Sequence, residues 1–170
     1  ALEIRGLRTV MPGRDAPLTL VDGVDLSVRP GETLAVVGES GSGKTMTFLS
    51  ALGLVPKPGR VAAGEVWLDG TDLLTLAPEA LRRRRGAGVS MVFQDPLTGL
   101  NPVFTIGDQI AEVLRAHERV SGRAARAKAI ALLERVHIPD PARRIDAYPH
   151  EFSGGMRQRA LIAMAVALGP

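Results

Sequence analysis

Apolar and polar positions alternate at the start of the chain. Leu2, Ile4 and Leu7 partly follow, and Val24, Leu26 and Val28 cleanly follow, the period of two that marks strands with one buried face. After Pro30-Gly31 the pattern changes. Thr33–Val37 is a short continuous apolar run, the signature of a strand covered on both faces, and Val89–Phe93 reads the same way. Lys44–Leu54 has helical character and ends at Pro56, Pro58 and Gly59. Glu65–Leu68 running into Asp69-Gly70 predicts a strand entering a tight hairpin turn.

Beyond Gln94 the strand pattern gives way. Asp95–Pro102 carries proline, glycine and asparagine and reads as a loop. Thr105, with Asp108 three residues on, predicts a capped helix over Asp108–Glu118. A second helix is expected over Arg123–Val136, with Ile130, Leu133 and Val136 along one face. Pro139, Pro141 and Pro149 bracket an irregular connection, and a last helix is expected over Gly155–Leu168. The pattern is an α/β chain with a strand-rich first half and a helical second half, joined near Gln94.

Composition narrows the classes. The 170 residues are 45% hydrophobic and 23% charged, enough to build one domain with a core. Apolar stretches such as Ala160–Leu168 are too short to span a bilayer. The absence of cysteine excludes disulfides, thiolate catalysis and Cys-ligated metals within the chain. His117, His137 and His150 are too scattered to suggest a metal site. A net charge of +3 is weak support for a nucleic-acid partner. Arg82–Arg85 reads as the solvated end of a short helix, and with 4% aromatic residues no stacking side chains interleave it. Trp67 is expected to pack within its strand, and Met156 and Met164 to pack in helices.

One segment carries recognisable chemistry. Gly38-Glu39-Ser40-Gly41-Ser42-Gly43-Lys44-Thr45 fits the phosphate-loop pattern G-x-x-x-x-G-K-[ST] between an apolar run and a helix. Glycines let backbone N–H groups approach a pyrophosphate without Cβ clashes. The following helix start presents unpaired N–H groups and the positive end of its dipole. Lys44 would place its charge on the β- and γ-phosphates, and the Thr45 hydroxyl would ligate Mg²⁺.

Two later segments specify the kind of nucleotide-binding protein. Phe152-Ser153-Gly154-Gly155-Met156-Arg157-Gln158-Arg159 resembles the signature of ATP-binding cassette (ABC) ATPases. Val92-Phe93-Gln94-Asp95-Pro96 resembles that family's Q-loop. With the phosphate loop they stand in the family's order. The likeness runs from Leu2 to Pro170 and is closest to ATP-binding subunits of dipeptide and oligopeptide importers. Phe93–Pro102, Met156 within the signature and His150-Glu151 ahead of it all resemble that subfamily.

The resemblance implies a P-loop NTPase fold with a RecA-like core, an antiparallel β subdomain and a helical subdomain. It implies a division into residues 1–94, with the phosphate loop, and 95–170, with the Q-loop exit and signature. Gly38–Thr45 would bind ATP and Mg²⁺, and Gln94 would reach the metal or attacking water. Ser153, Gly154, Gly155 and Met156 would face the ATP of a second cassette in a dimer. Helical residues Thr105–Val136 would face transmembrane permease subunits at the cytoplasmic side of the membrane. Two other readings stay open: a soluble ABC ATPase acting on nucleic acid or ribosomes, and a catalytically silent cassette partner.

The sequence departs from the family pattern in two places. No aromatic ring precedes the phosphate loop as a base platform, which leaves Met11 or Val10 to contact the base and adenine-over-guanine preference undetermined. The family's Walker B strand, with its aspartate and glutamate, should begin directly after Pro170. The expectation is therefore a front part of a longer polypeptide that does not hydrolyse ATP usefully alone.

Overall fold

The computed structural model describes residues 1–93 and 99–170. Gln94 and the first residues of the expected loop after it therefore lie outside the described residues. The chain forms two compact units, Ala1–Arg82 and Arg83–Pro170.

The first unit is built on a four-stranded antiparallel sheet in the order β2-β1-β3-β4. Its strands are β1 (Leu2–Met11), β2 (Leu18–Val28), β3 (Arg60–Leu68) and β4 (Thr71–Asp72). The period-two positions explain the arrangement: Ile4, Leu7, Val21, Val66 and Leu68 are buried while their neighbours face outward. β3 and β4 are joined by the expected Asp69-Gly70 turn, with φ of 47° and 79° at the two central residues. Gly64 is required where β3 lies close against β1, because a Cβ there would lie 2.6 Å from Leu7 Cα.

Helix α1 (Lys44–Ala51) follows the phosphate-loop sequence. It stops three residues short of the expected end, before the prolines. Gly53, at φ 63°, turns the chain so that its N–H reaches the Ser50 carbonyl while Leu54 N–H reaches Leu49, a Schellman closure.

The two fully covered strands expected from Thr33–Val37 and Val89–Phe93 do not form. Both runs are irregular, and Leu34, Val36, Val37, Val92 and Phe93 are exposed. The physical reason is pairing. A strand buried on both faces exists only with hydrogen-bonded neighbours, and among the described residues Val89 makes only an isolated bridge to Arg85.

Helix α2 (Pro78–Ala87) crosses the boundary between the units and breaks at Arg85 and Gly86, where φ/ψ leave the helical region. Its arginine-rich end is solvated, as the charge run implied.

The second unit is helical: α3 (Ile106–His117), α4 (Gly122–Arg135), the short α5 (Pro141–Arg144) and α6 (Gly154–Ala165). Thr105 caps α3 by accepting the Asp108 N–H, as the sequence indicated. Ile106, Ile110 and Leu114 of α3, Ala125, Ala129 and Leu133 of α4, and Met156, Ala160 and Ala163 of α6 recur at helical spacing. Together with Phe152 and Ile145 they form one core. Gly107 allows the start of α3 to touch backbone: its N–H donates to the Ile145 carbonyl at 2.8 Å. A Cβ at Gly107 would lie 2.6 Å from that oxygen.

Candidate functional site

The phosphate-loop sequence folds as a closed turn around its own lysine. Gly41 and Gly43 sit at φ of 84° and 89°, a region where a Cβ is strained. The Ser42 N–H donates to the Glu39 carbonyl at 3.2 Å and tightens the turn. Lys44 Nζ then donates inward to the carbonyls of Gly38 and Glu39, each at 2.7 Å, and to Ser42 Oγ at 3.2 Å. A Cβ at Gly38 would lie 2.8 Å from Ser42 Oγ and 3.8 Å from Lys44 Nζ, so a side chain there would displace the Ser42 hydroxyl from the lysine.

Beneath the loop, Gly43 lies so close to β2 that a Cβ would meet the Leu20 carbonyl at 2.9 Å. The Gly43 carbonyl accepts the Thr47 N–H at 2.8 Å and the Thr47 hydroxyl at 3.0 Å, which ties the loop to α1. Gly43 is the N-cap of α1 and offers no side-chain acceptor, and no acidic residue stands in the first turn. The helix start therefore keeps its open N–H groups and positive dipole end without a competing anion. Thr45 is exposed in that first turn. One ammonium, open amides and a hydroxyl converge here, a donor set that suits a triphosphate with Mg²⁺.

Met11 ends β1 and is half-buried, paired in register with Leu18, which is 61% exposed. Leu18 carries no distinguishing signal in the sequence. Its exposure depends on which strand edge it occupies, and alternation alone does not give that.

The signature segment opens α6. Ser153 is the N-cap, and its Oγ accepts the Met156 N–H at 3.4 Å. Gly154 and Gly155 are exposed, and a Cβ on either would meet nothing within 4 Å. Their backbone φ values are ordinary, so neither glycine is demanded by this unit's own fold. Met156 is buried in the core of this unit, as expected of a packing residue, and so does not stand with Gly154 and Gly155 on the exposed face.

Three features of this unit are not evident from the sequence. Arg157 turns back and donates through Nε to the Pro149 carbonyl at 2.7 Å, bracing the 3₁₀ turn Pro149–Glu151 ahead of Ser153. Tyr148 and His150 stack with ring centroids 5.7 Å apart at 13°. Gln109 is buried and clamps the loop before α3: it accepts the Asn101 N–H at 2.8 Å and donates to the carbonyls of Asn101 and Phe104, each at 3.0 Å. Each depends on contacts across a turn, which residue spacing does not encode.

Among the described residues no cluster of three His, Asp or Glu side chains could hold a metal ion, and no helix is long and apolar enough to cross a membrane. Gln94, expected to reach the metal, lies outside those residues.

This glycine-rich loop and the mixed α/β fold define the class: a P-loop NTPase cassette. A dimeric ATP-binding cassette solved in a post-hydrolysis state with ADP and Pi superimposes with a TM-score of 0.86 at 25% identity, over all of this chain and 71% of that one. The family description ABC transporter matches residues 21–170, and the chain belongs to that family. A Brucella melitensis protein named for peptide import and ATP binding is 53% identical over 99% of this chain and 52% of its own length. The dipeptide transport ATP-binding protein of Haemophilus influenzae is 47% identical over 99% of this chain and 51% of its own. The chain thus spans about half the length of the curated relatives it matches.

Proposed function

We propose that this chain is the ATP-binding part of an ATPase subunit that powers an ABC importer of dipeptides or oligopeptides. The observation that carries the reading is the loop Gly38–Thr45, closed around Lys44 and opening onto the uncapped start of α1. Lys44 and the loop amides would hold the β- and γ-phosphates, and Thr45, with Gln94, would hold Mg²⁺. The bound ion would neutralise phosphate charge. Met11 would contact the base.

In the same reading the protein works as a dimer with a second cassette. Ser153, Gly154 and Gly155, with Met156 packed behind them, would face the nucleotide held by the partner. Two glycines that the local fold does not require support that role. Permease subunits at the cytoplasmic face of the membrane are the remaining partners, and the names of the relatives support peptides as the transported class.

The test is calorimetric titration of the protein with MgATP. Unmutated protein is expected to bind, and Lys44→Ala to bind about 100-fold more weakly, the loss of one desolvated charge-assisted contact. No heat from the unmutated protein, or equal affinity in both, would overturn the reading.

A further inference from the structure

Thr9 in β1 and Ser50 in α1 are both fully buried, and their hydroxyl oxygens lie 2.7 Å apart. Ser50 Oγ also donates to the Met46 carbonyl at 2.6 Å. A serine hydroxyl carries one proton, so with that proton on Met46 the second bond runs from Thr9 to Ser50. The chain of bonds thus has a fixed direction, from strand to helix.

The place of this link along β1 is informative. The pairing of β1 with β2 shifts register on both sides of Thr9, and its pairing with β3 shifts between Arg8 and Thr9. Thr9 and Val10 are buried in succession, which interrupts the alternation and re-aims the strand just before Met11. An irregular strand end is weakly placed by its own ladder. The Thr9 hydroxyl adds a directed hydrogen bond from it to α1.

Both ends of the link lead to the phosphate loop. α1 runs unbroken from Lys44 through Ser50. On the strand side, Leu18 pairs with Met11, and two residues further along β2 the Leu20 carbonyl abuts Gly43. Two residues of strand span about 7 Å, so the residue paired with Met11 lies one short step along β2 from the residue that touches the loop.

We propose that Thr9 and Ser50 are positioning residues whose hydroxyl pair holds the end of β1, with Met11, at a set distance from the phosphate loop, so that the base and ribose of a nucleotide seat while its phosphates occupy the loop. This rests on the reading that Gly38–Thr45 takes a triphosphate. The link acts on the base and ribose and leaves the phosphate contacts untouched, which separates it from a general stabilising role.

The experiment is titration of Thr9→Val, Thr9→Ser and unmutated protein with MgATP and with magnesium tripolyphosphate. Thr9→Val keeps the volume and removes the donor, and is expected to weaken ATP about 5- to 10-fold, the worth of one hydrogen bond, with tripolyphosphate unchanged. Thr9→Ser, which keeps the hydroxyl, is expected to restore ATP affinity. Ser50→Ala cuts the link from the helix side and is expected to give the same split. Equal losses for both ligands, or no loss for ATP, would overturn the positioning role alone. Binding of neither ligand by unmutated protein would overturn the phosphate-loop reading and this one with it.

Discussion

Gly155→Ala separates a glycine kept for folding from one kept for a ligand. The residue lies in the first turn of α6, and an added Cβ there meets no atom within 4 Å. Its backbone φ is one that any residue adopts. Replacing glycine by alanine in a helix removes conformational freedom from the unfolded chain and is worth about 0.5–1 kcal/mol. Thermal unfolding is therefore expected to shift upward by about 1–4 °C. The methyl group would nevertheless stand over the amides at the start of α6. If those amides meet the phosphate of a nucleotide held by a second cassette, losing that approach should slow hydrolysis about 100-fold, as loss of one preorganised donor does elsewhere.

The assay pairs thermal unfolding with phosphate release by the protein assembled with its cassette partner. Gly107→Ala supplies the contrast, because its Cβ would collide with Ile145 Cγ1 at 2.5 Å and with the Ile145 carbonyl at 2.6 Å. That variant is expected to unfold earlier, losing about 1–3 kcal/mol to overpacking. A fall in melting temperature for Gly155→Ala would show that the glycine is structural. A rise with undiminished phosphate release would show that the start of α6 meets no anion. Either result would refute the reasoning.

Gln109→Leu is expected to cost about 2–4 kcal/mol in a urea unfolding titration, since it strips partners from the backbone of Asn101 and Phe104 without emptying the space. His137 ends α4 at φ 57°, a left-handed position, so His137→Gly is expected to stabilise the protein by about 1 kcal/mol in the same assay, with the Arg159 bond to its carbonyl retained. The Asp146 carboxyl is held below its usual value of 3.8, first by hydrogen bonds from Arg126. Because its folded pKa is depressed, its contribution is present above the unfolded value and is lost as pH falls through the folded one. Asp146→Asn is therefore expected to flatten the loss of stability below about pH 4, measured as denaturant midpoint against pH.

What the sequence made legible was local. Thr105 and Asp108 mark the start of α3, Asp69-Gly70 marks the β3–β4 turn, and Gly38–Thr45 marks the loop, because each is decided within a few residues by capping, left-handed backbone or close approach. What failed was conditional on distant partners. Thr33–Val37 and Val89–Phe93 carry the apolar content of covered strands, yet a strand needs a ladder, and no ladder partner for Thr33–Val37 is found among the described residues.

The same distinction explains which site residues sequence reasoning could reach. A phosphate loop is a contiguous device: Lys44 folds back six residues onto the Gly38 carbonyl, so spacing encodes it. The base contact proposed for Met11 is a long-range problem, because Met11 lies on a strand whose register shifts between Thr9 and Val10. The contact tying that strand to the loop's helix joins Thr9 to a residue 41 positions away. A hydroxyl at Thr9 has no distinctive neighbours in sequence. Its partner appears only where β1 and α1 meet.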